Sequence, residues 1–222
     1  MGQLFLVRHG QASLGADDYD QLSPLGHQQS QRLGEHWRDQ GIQFDAVITG
    51  TLKRHAQTLA GIQQGLQSNL PALLWPGLNE YDSHAVIRSV HTGEWIPPTT
   101  PDGYKQHFRL LRSGLMQWMQ GAVTPQGMPA FAEFQAGVLS ALTHVREQLQ
   151  GHVLLVSSGG PISVAVAHVL GLDAANTIEL NLRIRNSAVN EFHFNPKRHH
   201  LVSFNTLAHL ETPAHQGWVT YA

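Results

Sequence analysis

The sequence predicts an α/β fold: a doubly wound, mostly parallel sheet with helices on both faces and a partly helical insertion over the cleft. Three observations predict it. Short runs at residues 4–7, 45–49, 72–75 and 152–156 have the near-continuous hydrophobicity of parallel strands buried on both faces. The stretches between them read as helices, so strand and helix alternate. A length of 222 residues, 41 % of them apolar and 14 % charged, fits one α/β domain over residues 1–222 with an insertion at about 83–129.

The elements follow in order. Residues 4–7 form a strand that runs into Arg8-His9-Gly10. Ser23 and Pro24 are a capping residue and a first-turn proline, opening a helix that Gly41 stops. A second strand at 45–49 leads to a helix over 52–67, with Leu52, Ala56, Leu59, Ile62 and Leu66 near one face. A third strand, 72–75, is closed by Pro76-Gly77. Prolines 97, 98 and 101 and Gly103 loosen the insertion, which regains helical character at 104–120. It reads either as a lid over the cleft or as a packing decoration. A long helix at 131–149 precedes the strand at 152–156, and Gly159-Gly160-Pro161 opens another helix. Residues 188–194 and 201–205 read as a closing hairpin at or near the sheet edge.

Composition removes several classes of function. There is no cysteine, so disulfide scaffolds, cysteine zinc sites and cysteine nucleophiles are excluded. A net charge of -2 gives no support for a nucleic-acid or polybasic membrane role. Arg8 interrupts the apolar N-terminus before a signal peptide could form, and no apolar run reaches membrane-spanning length. A cytoplasmic location is expected. No metal site is read, no cofactor is expected, and His199-His200 on a strand would point to opposite faces.

Ligands of doubly wound sheets sit at the C-terminal ends of the strands. Arg8-His9, Thr49 to Arg54, Glu80 and Ser157 to Gly160 all follow strand ends, so one cleft can gather them. Leu6-Val7-Arg8-His9-Gly10-Gln11 resembles the first motif of the histidine phosphatase superfamily, the phosphoglycerate-mutase-like proteins. The resemblance continues through Ser23-Pro24-Leu25-Gly26, Thr49 to Thr58, Gly77-Leu78-Asn79-Glu80 and Val156 to Gly160, with Asn205 to Leu210 similar to a C-terminal strand. It implies His9 as a nucleophile forming a phosphohistidine. It implies Arg8 and Arg54 as phosphate ligands and Glu80 as acid and then base, and the amides near Gly159, at a helix start, are expected to contact the substrate as anion-binding dipoles. These residue types suit phosphoryl transfer, which needs charged donor forks on the phosphoryl oxygens and an in-line nucleophile.

One position departs from the resemblance. The family usually carries a second histidine directly before the glycine of its last motif, and Ser158 stands there. Ser158 is expected to take the vacated position and to contact the ligand. His55, His84 and His91 lie on segments that can approach the cleft, but the sequence does not place their rings.

The reading is therefore a metal-independent phosphomonoesterase acting on a small-molecule phosphate ester, weakened or specialised at Ser158. A non-catalytic phosphate binder on the same fold is the alternative. A phosphoglycerate-type mutase stands further back because Gln11-Ala12-Ser13 follows the first motif where the glycolytic mutases carry a Trp-Asn-containing stretch, and a serine hydrolase using Ser157 or Ser158 does so because Val156 takes the first glycine position of a nucleophile elbow. Trp95, Tyr104, Phe108 and Trp118 are candidates for an apolar leaving-group pocket or for core. An exposed edge strand or an apolar patch on the insertion leaves room for a homodimer.

Overall fold

The computed structural model describes residues 1–13, 20–91, 93 and 99–221. Six strands and seven α-helices are found among them: β1 (Gly2–Arg8), α1 (Pro24–Asp39), β2 (Ala46–Thr49), α2 (Lys53–Leu66), β3 (Ala72–Leu74), α3 (Ser83–Arg88), α4 (Pro101–Met119), α5 (Phe131–Gln148), β4 (Gly151–Ser157), α6 (Gly159–Leu170), α7 (Ala174–Asn181), β5 (Val189–Asn195) and β6 (Arg198–Thr206). The sheet order is β3-β2-β4-β1-β5-β6. β1, β2, β3 and β4 run parallel, and β5 and β6 add an antiparallel hairpin at one edge.

The two faces of the sheet follow from strand periodicity. Leu4, Leu6, Ile48, Val153 and Leu155 point to one side, where α5 and α6 bring Val138, Leu142, Ile162 and Val166. Their neighbours Phe5, Val7, Val47, Leu154 and Val156 point to the other, against Leu33 and Trp37 of α1 and Leu59 and Ile62 of α2. The central strands are therefore buried on both sides, which is why they read as continuous apolar runs. The start of α1 is as expected: Ser23 accepts the Gly26 amide at 3.1 Å and Pro24 occupies the first turn. No helix among the described residues is long and apolar enough to cross a membrane.

The chain between β3 and α5 builds a smaller core of its own. Val86, Ile87, Leu111, Leu115 and Trp118 pack with Ile178 of α7. Trp118 lies at its centre against Phe131 and Phe134, with ring centroids 5.2 and 5.1 Å away. Of the four aromatic residues considered for a pocket, Trp118 is therefore core, Tyr104 and Phe108 are exposed, and Trp95 lies outside the described residues.

Two further expectations are corrected, and one helix goes beyond the sequence reading. α7 is not legible as a helix in the sequence; its short polar run is set by Asp173, whose carboxylate accepts the Asn176 amide at 2.8 Å. Residues 205–210 are not a strand throughout: β6 ends at Thr206, and Ala208–Leu210 is a 3₁₀ turn. The buried stripe of α2 does not run through Ala56, which is exposed; it runs through Arg54, His55, Thr58, Leu59 and Ile62.

Candidate active site

Strand register sets the floor of the site. Arg8 of β1 pairs with Ser157 of β4, and Thr49 of β2 pairs with Val156. The ladder runs on past both: the His9 amide donates to the Ser157 carbonyl at 2.9 Å, and the Gly50 amide to the Val156 carbonyl at 3.1 Å. The segments that begin at His9, Gly50 and Ser158 thus leave the sheet at one level, side by side.

His9 is buried, and its Nδ1 lies 2.7 Å from the carbonyl oxygen of Gly10. A carbonyl only accepts, so the ring proton sits on Nδ1 and the lone pair is left on Nε2. The His9 carbonyl is fixed in turn by the Ser187 amide at 3.2 Å and the Asn186 side-chain amide at 3.4 Å. Burial holds the imidazole pKa well below 6.5, helped by the positive charges of Arg8 and Arg54 and by His55. The ring is therefore neutral at neutral pH.

Arg54 stands in the first turn of α2 with its Nη1 2.7 Å from Oδ1 of Asp20. Oδ2 of the same aspartate accepts the Lys53 amide at 2.9 Å, so one carboxylate caps the helix start and orients the guanidinium. Arg8 donates through Nη1 to the carbonyls of Ile184 and, at 2.7 Å, Tyr221. Both guanidiniums are near enough to bear on the pKa values of His9 and Glu80.

Glu80 comes from the loop after β3, which a 3₁₀ turn at Pro76–Leu78 and the Ser157 hydroxyl hold in place; that hydroxyl donates to the Leu78 carbonyl at 2.7 Å. The Glu80 carboxylate accepts the Gly160 amide at 3.1 and 3.2 Å and the Tyr81 amide at 3.2 Å. Burial raises its pKa above 4.5, against the opposing pull of Arg54, the Gly160 amide and Arg8. A Cβ at Gly160 would come within 2.3 Å of Glu80 Oε1 and 2.6 Å of the Tyr81 ring, so a larger residue would force these groups to move. Gly159 opens α6, and Ser158 is its N-cap residue.

The structure brings a further side chain to these. Nε2 of His55 is 2.6 Å from Oγ of Ser158, and the His55 ring centroid is 5.8 Å from that of His9. Of the three histidines weighed for the cleft, His55 is the one buried in it; His84 is exposed at the start of α3, and His91 lies beyond that helix. A signal for His55 was present in the sequence. It sits four and seven residues before Leu59 and Ile62, on the stripe of α2 that faces the sheet.

Residues 4–207 match the family model of the histidine phosphatase superfamily, branch 1. With a doubly wound sheet and, at its strand ends, a buried histidine under the charge of two guanidiniums, the chain belongs to that superfamily. Among curated proteins it is 35 % identical over 85 residues to a broad-specificity phosphatase of Saccharomyces cerevisiae, covering 35 % of this chain and 37 % of that one. It is 39 % identical over 89 residues to a 2,3-bisphosphoglycerate-dependent phosphoglycerate mutase of Allorhizobium ampelinum, covering 36 % of this chain and 42 % of the mutase. The chain thus spans about two-fifths of the length of the curated relatives it matches.

Solved structures with the same fold include YhfR of Bacillus stearothermophilus, with a TM-score of 0.70, 20 % identity, and 95 % and 100 % of the two chains covered. Another is the phosphoserine phosphatase of Entamoeba histolytica in complex with 3-phosphoglyceric acid, with a TM-score of 0.66, 20 % identity, and coverage of 95 % and 100 %. The α-ribazole phosphatase of Shigella flexneri has a TM-score of 0.65, 23 % identity, and coverage of 93 % and 97 %.

Proposed function

We propose that the protein is a phosphomonoester hydrolase that works through a phosphohistidine at His9. The observation that carries this is the His9 ring itself: its Nδ1 proton is committed to the Gly10 carbonyl, and burial and two guanidiniums keep it neutral. A neutral ring with a free Nε2 lone pair, beside permanent positive charge, is what attack on a phosphate ester requires.

In the first step Nε2 attacks phosphorus while the bond to the ester oxygen breaks. Glu80, whose protonated form burial favours, gives its proton to the departing alkoxide. In the second step the Glu80 carboxylate takes a proton from water, the water oxygen attacks phosphorus, and the phosphorus–nitrogen bond breaks. The products are an alcohol, inorganic phosphate and the restored imidazole. Arg8 and Arg54 hold the phosphoryl oxygens, and their fixed charge supplies the neutralisation the transfer needs.

The substrate class is a small phosphate ester, in keeping with the phosphoserine and 3-phosphoglyceric acid named for solved structures of the same fold. Hydrolysis is favoured over a mutase reaction because Gln11-Ala12-Ser13 follows the first motif in place of the Trp-Asn-containing stretch of the glycolytic mutases. A pocket that only binds phosphate gains nothing from a buried carboxyl facing the same two guanidiniums as His9. The test is hydrolysis of 4-nitrophenyl phosphate in the presence of chelator by wild type and His9→Ala, with trapping of a phosphoenzyme. Turnover that disappears in His9→Ala is expected. Tight phosphate binding with neither turnover nor phosphoenzyme would assign the binding-only alternative.

A further inference from the structure

The steps above leave one buried polar pair unused. His55 and Ser158 are both fully buried, and they join the first turn of α2 to the start of α6 at 2.6 Å. Ser158 occupies the N-cap position of α6, yet its side chain makes no capping bond to that helix. An N-cap serine ordinarily accepts from an amide of its own first turn. Here Oγ is turned to His55 instead, beside the nucleophile.

The other nitrogen of His55 decides how this pair is polarised. Nδ1 is buried and has no hydrogen-bond partner among the described residues. It faces the Cα of Gly50, where an added Cβ would lie 2.2 Å from it. A buried N–H with no acceptor is costly, so the ring proton belongs on Nε2, the nitrogen that has a partner. Nε2–H then donates to Ser158 Oγ. A hydroxyl has a single proton, so Ser158, accepting from His55, is left with that proton to donate elsewhere.

We propose that His55 and Ser158 form one donor unit, in which His55 holds the Ser158 hydroxyl so that its O–H donates to an oxygen of the phosphoryl group passing to and from His9. The inference rests on the phosphohistidine reading given above. No bond within the unit breaks and no proton is transferred. Ser158 touches the phosphoryl group, and His55 is a positioning residue that acts through it. The motif position that the family resemblance fills with an imidazole is thus served by a serine, and the imidazole comes from α2.

A serine nucleophile activated by His55 would use the same contact. It would require His55 to take the hydroxyl proton, with an acceptor on Nδ1 to orient the ring and stabilise its charge. Nδ1 has no acceptor among the described residues, and burial beside Arg54 lowers the ring pKa to about 3, which makes it a poor base.

The test compares wild type with His55→Ala, Ser158→Ala, the double variant H55A/S158A and the exchange variant H55A/S158H, with 4-nitrophenyl phosphate as substrate. Each single change should lower kcat by about 10²-fold, the usual effect of losing one preorganised donor, with KM moving only a few-fold. The double variant should be no worse than either single, because the two residues act as one unit. The exchange variant should recover at least tenfold over His55→Ala, which a purely structural role for His55 would not give. If His55→Ala does not fold, His55→Asn keeps an N–H for Ser158, and Ser158→Thr against Ser158→Ala isolates the hydroxyl.

Full activity in His55→Ala, losses that multiply in the double variant, or labelling of Ser158 by a fluorophosphonate would each overturn the donor unit. Retained activity in His9→Ala would instead overturn the phosphohistidine reading on which it rests.

Discussion

Glu80 and Gly160 are joined by one amide and two oxygens: the Gly160 N–H lies 3.1 Å from Oε1 and 3.2 Å from Oε2 of the carboxylate. This amide at the start of α6 is thus committed to Glu80 and not open to an anion. This contact orients Glu80 and, as a donor to its carboxylate, opposes the rise in pKa that burial causes.

Gly160→Ala should therefore damage catalysis more than folding. A Cβ would meet Glu80 Oε1 at 2.3 Å and the Tyr81 ring at 2.6 Å, so the carboxylate must shift. Displacing a catalytic group by about 1 Å costs about 10²-fold in rate. A kcat reduced to that degree, with a melting temperature within a few degrees of wild type, is the expected result.

Activity should occupy a pH window bounded by two shifted groups. His9 must be neutral, and burial holds its pKa well below 6.5, so the acid limb lies well below that value. Glu80 must be protonated to serve as acid, and burial raises its pKa above 4.5, so the rate of ester cleavage falls as pH rises through that raised value. Glu80→Gln should remove the alkaline limb and lower kcat by about 10²–10⁴, more for alkyl phosphates than for 4-nitrophenyl phosphate, whose leaving group scarcely needs a proton. Rate profiles on both substrates check this.

Arg54→Lys should lower kcat/KM by about 10²-fold despite keeping the charge, because lysine offers a single ammonium where the guanidinium can bind Asp20 through one nitrogen and a phosphoryl oxygen through another. Kinetics of the variant, with its thermal melt as a folding control, decide the matter.

Stability should fall on the acid side of neutrality. His55 and His209 are buried with pKa values lowered to about 3, and His199 is lowered to about 4, in each case chiefly by burial. A depressed folded pKa means that the unfolded chain binds the proton more readily. The contribution is present above about 6.5 and is lost as pH falls from there toward the folded values. For a fully buried neutral histidine the loss is about 2 kcal/mol at pH 5. Urea denaturation at pH 7 and pH 5 should show the difference, and His209→Gln should reduce it.

Much of the frame is legible in residue order. Leu4 to Val7, Val47-Ile48 and Val153 to Val156 are continuous apolar runs because strands buried on both faces tolerate nothing else. Ser23-Pro24 marks a helix start whatever its surroundings. The chemistry-bearing residues follow strand ends, and the resemblance of their motifs to the histidine phosphatase superfamily implies phosphoryl transfer.

Other features are not local. α7 has a weak apolar pattern and holds its place because Ile178 packs against α3 and α4. The stripe of α2 bypasses Ala56 and runs through a buried arginine, histidine and threonine, which look polar until their partners are known. Above all, Ser158 by itself reads as the loss of an imidazole. Only the register of β2, β4 and β1 sets α2 beside the start of α6, so that His55, 103 residues away in sequence, reaches it. The sequence by itself determined which groups could do chemistry and which segments would become strands. Tertiary structure alone decided which groups meet, because a hydrogen bond depends on ångströms between side chains, and the spacing of residues along the chain does not fix that distance.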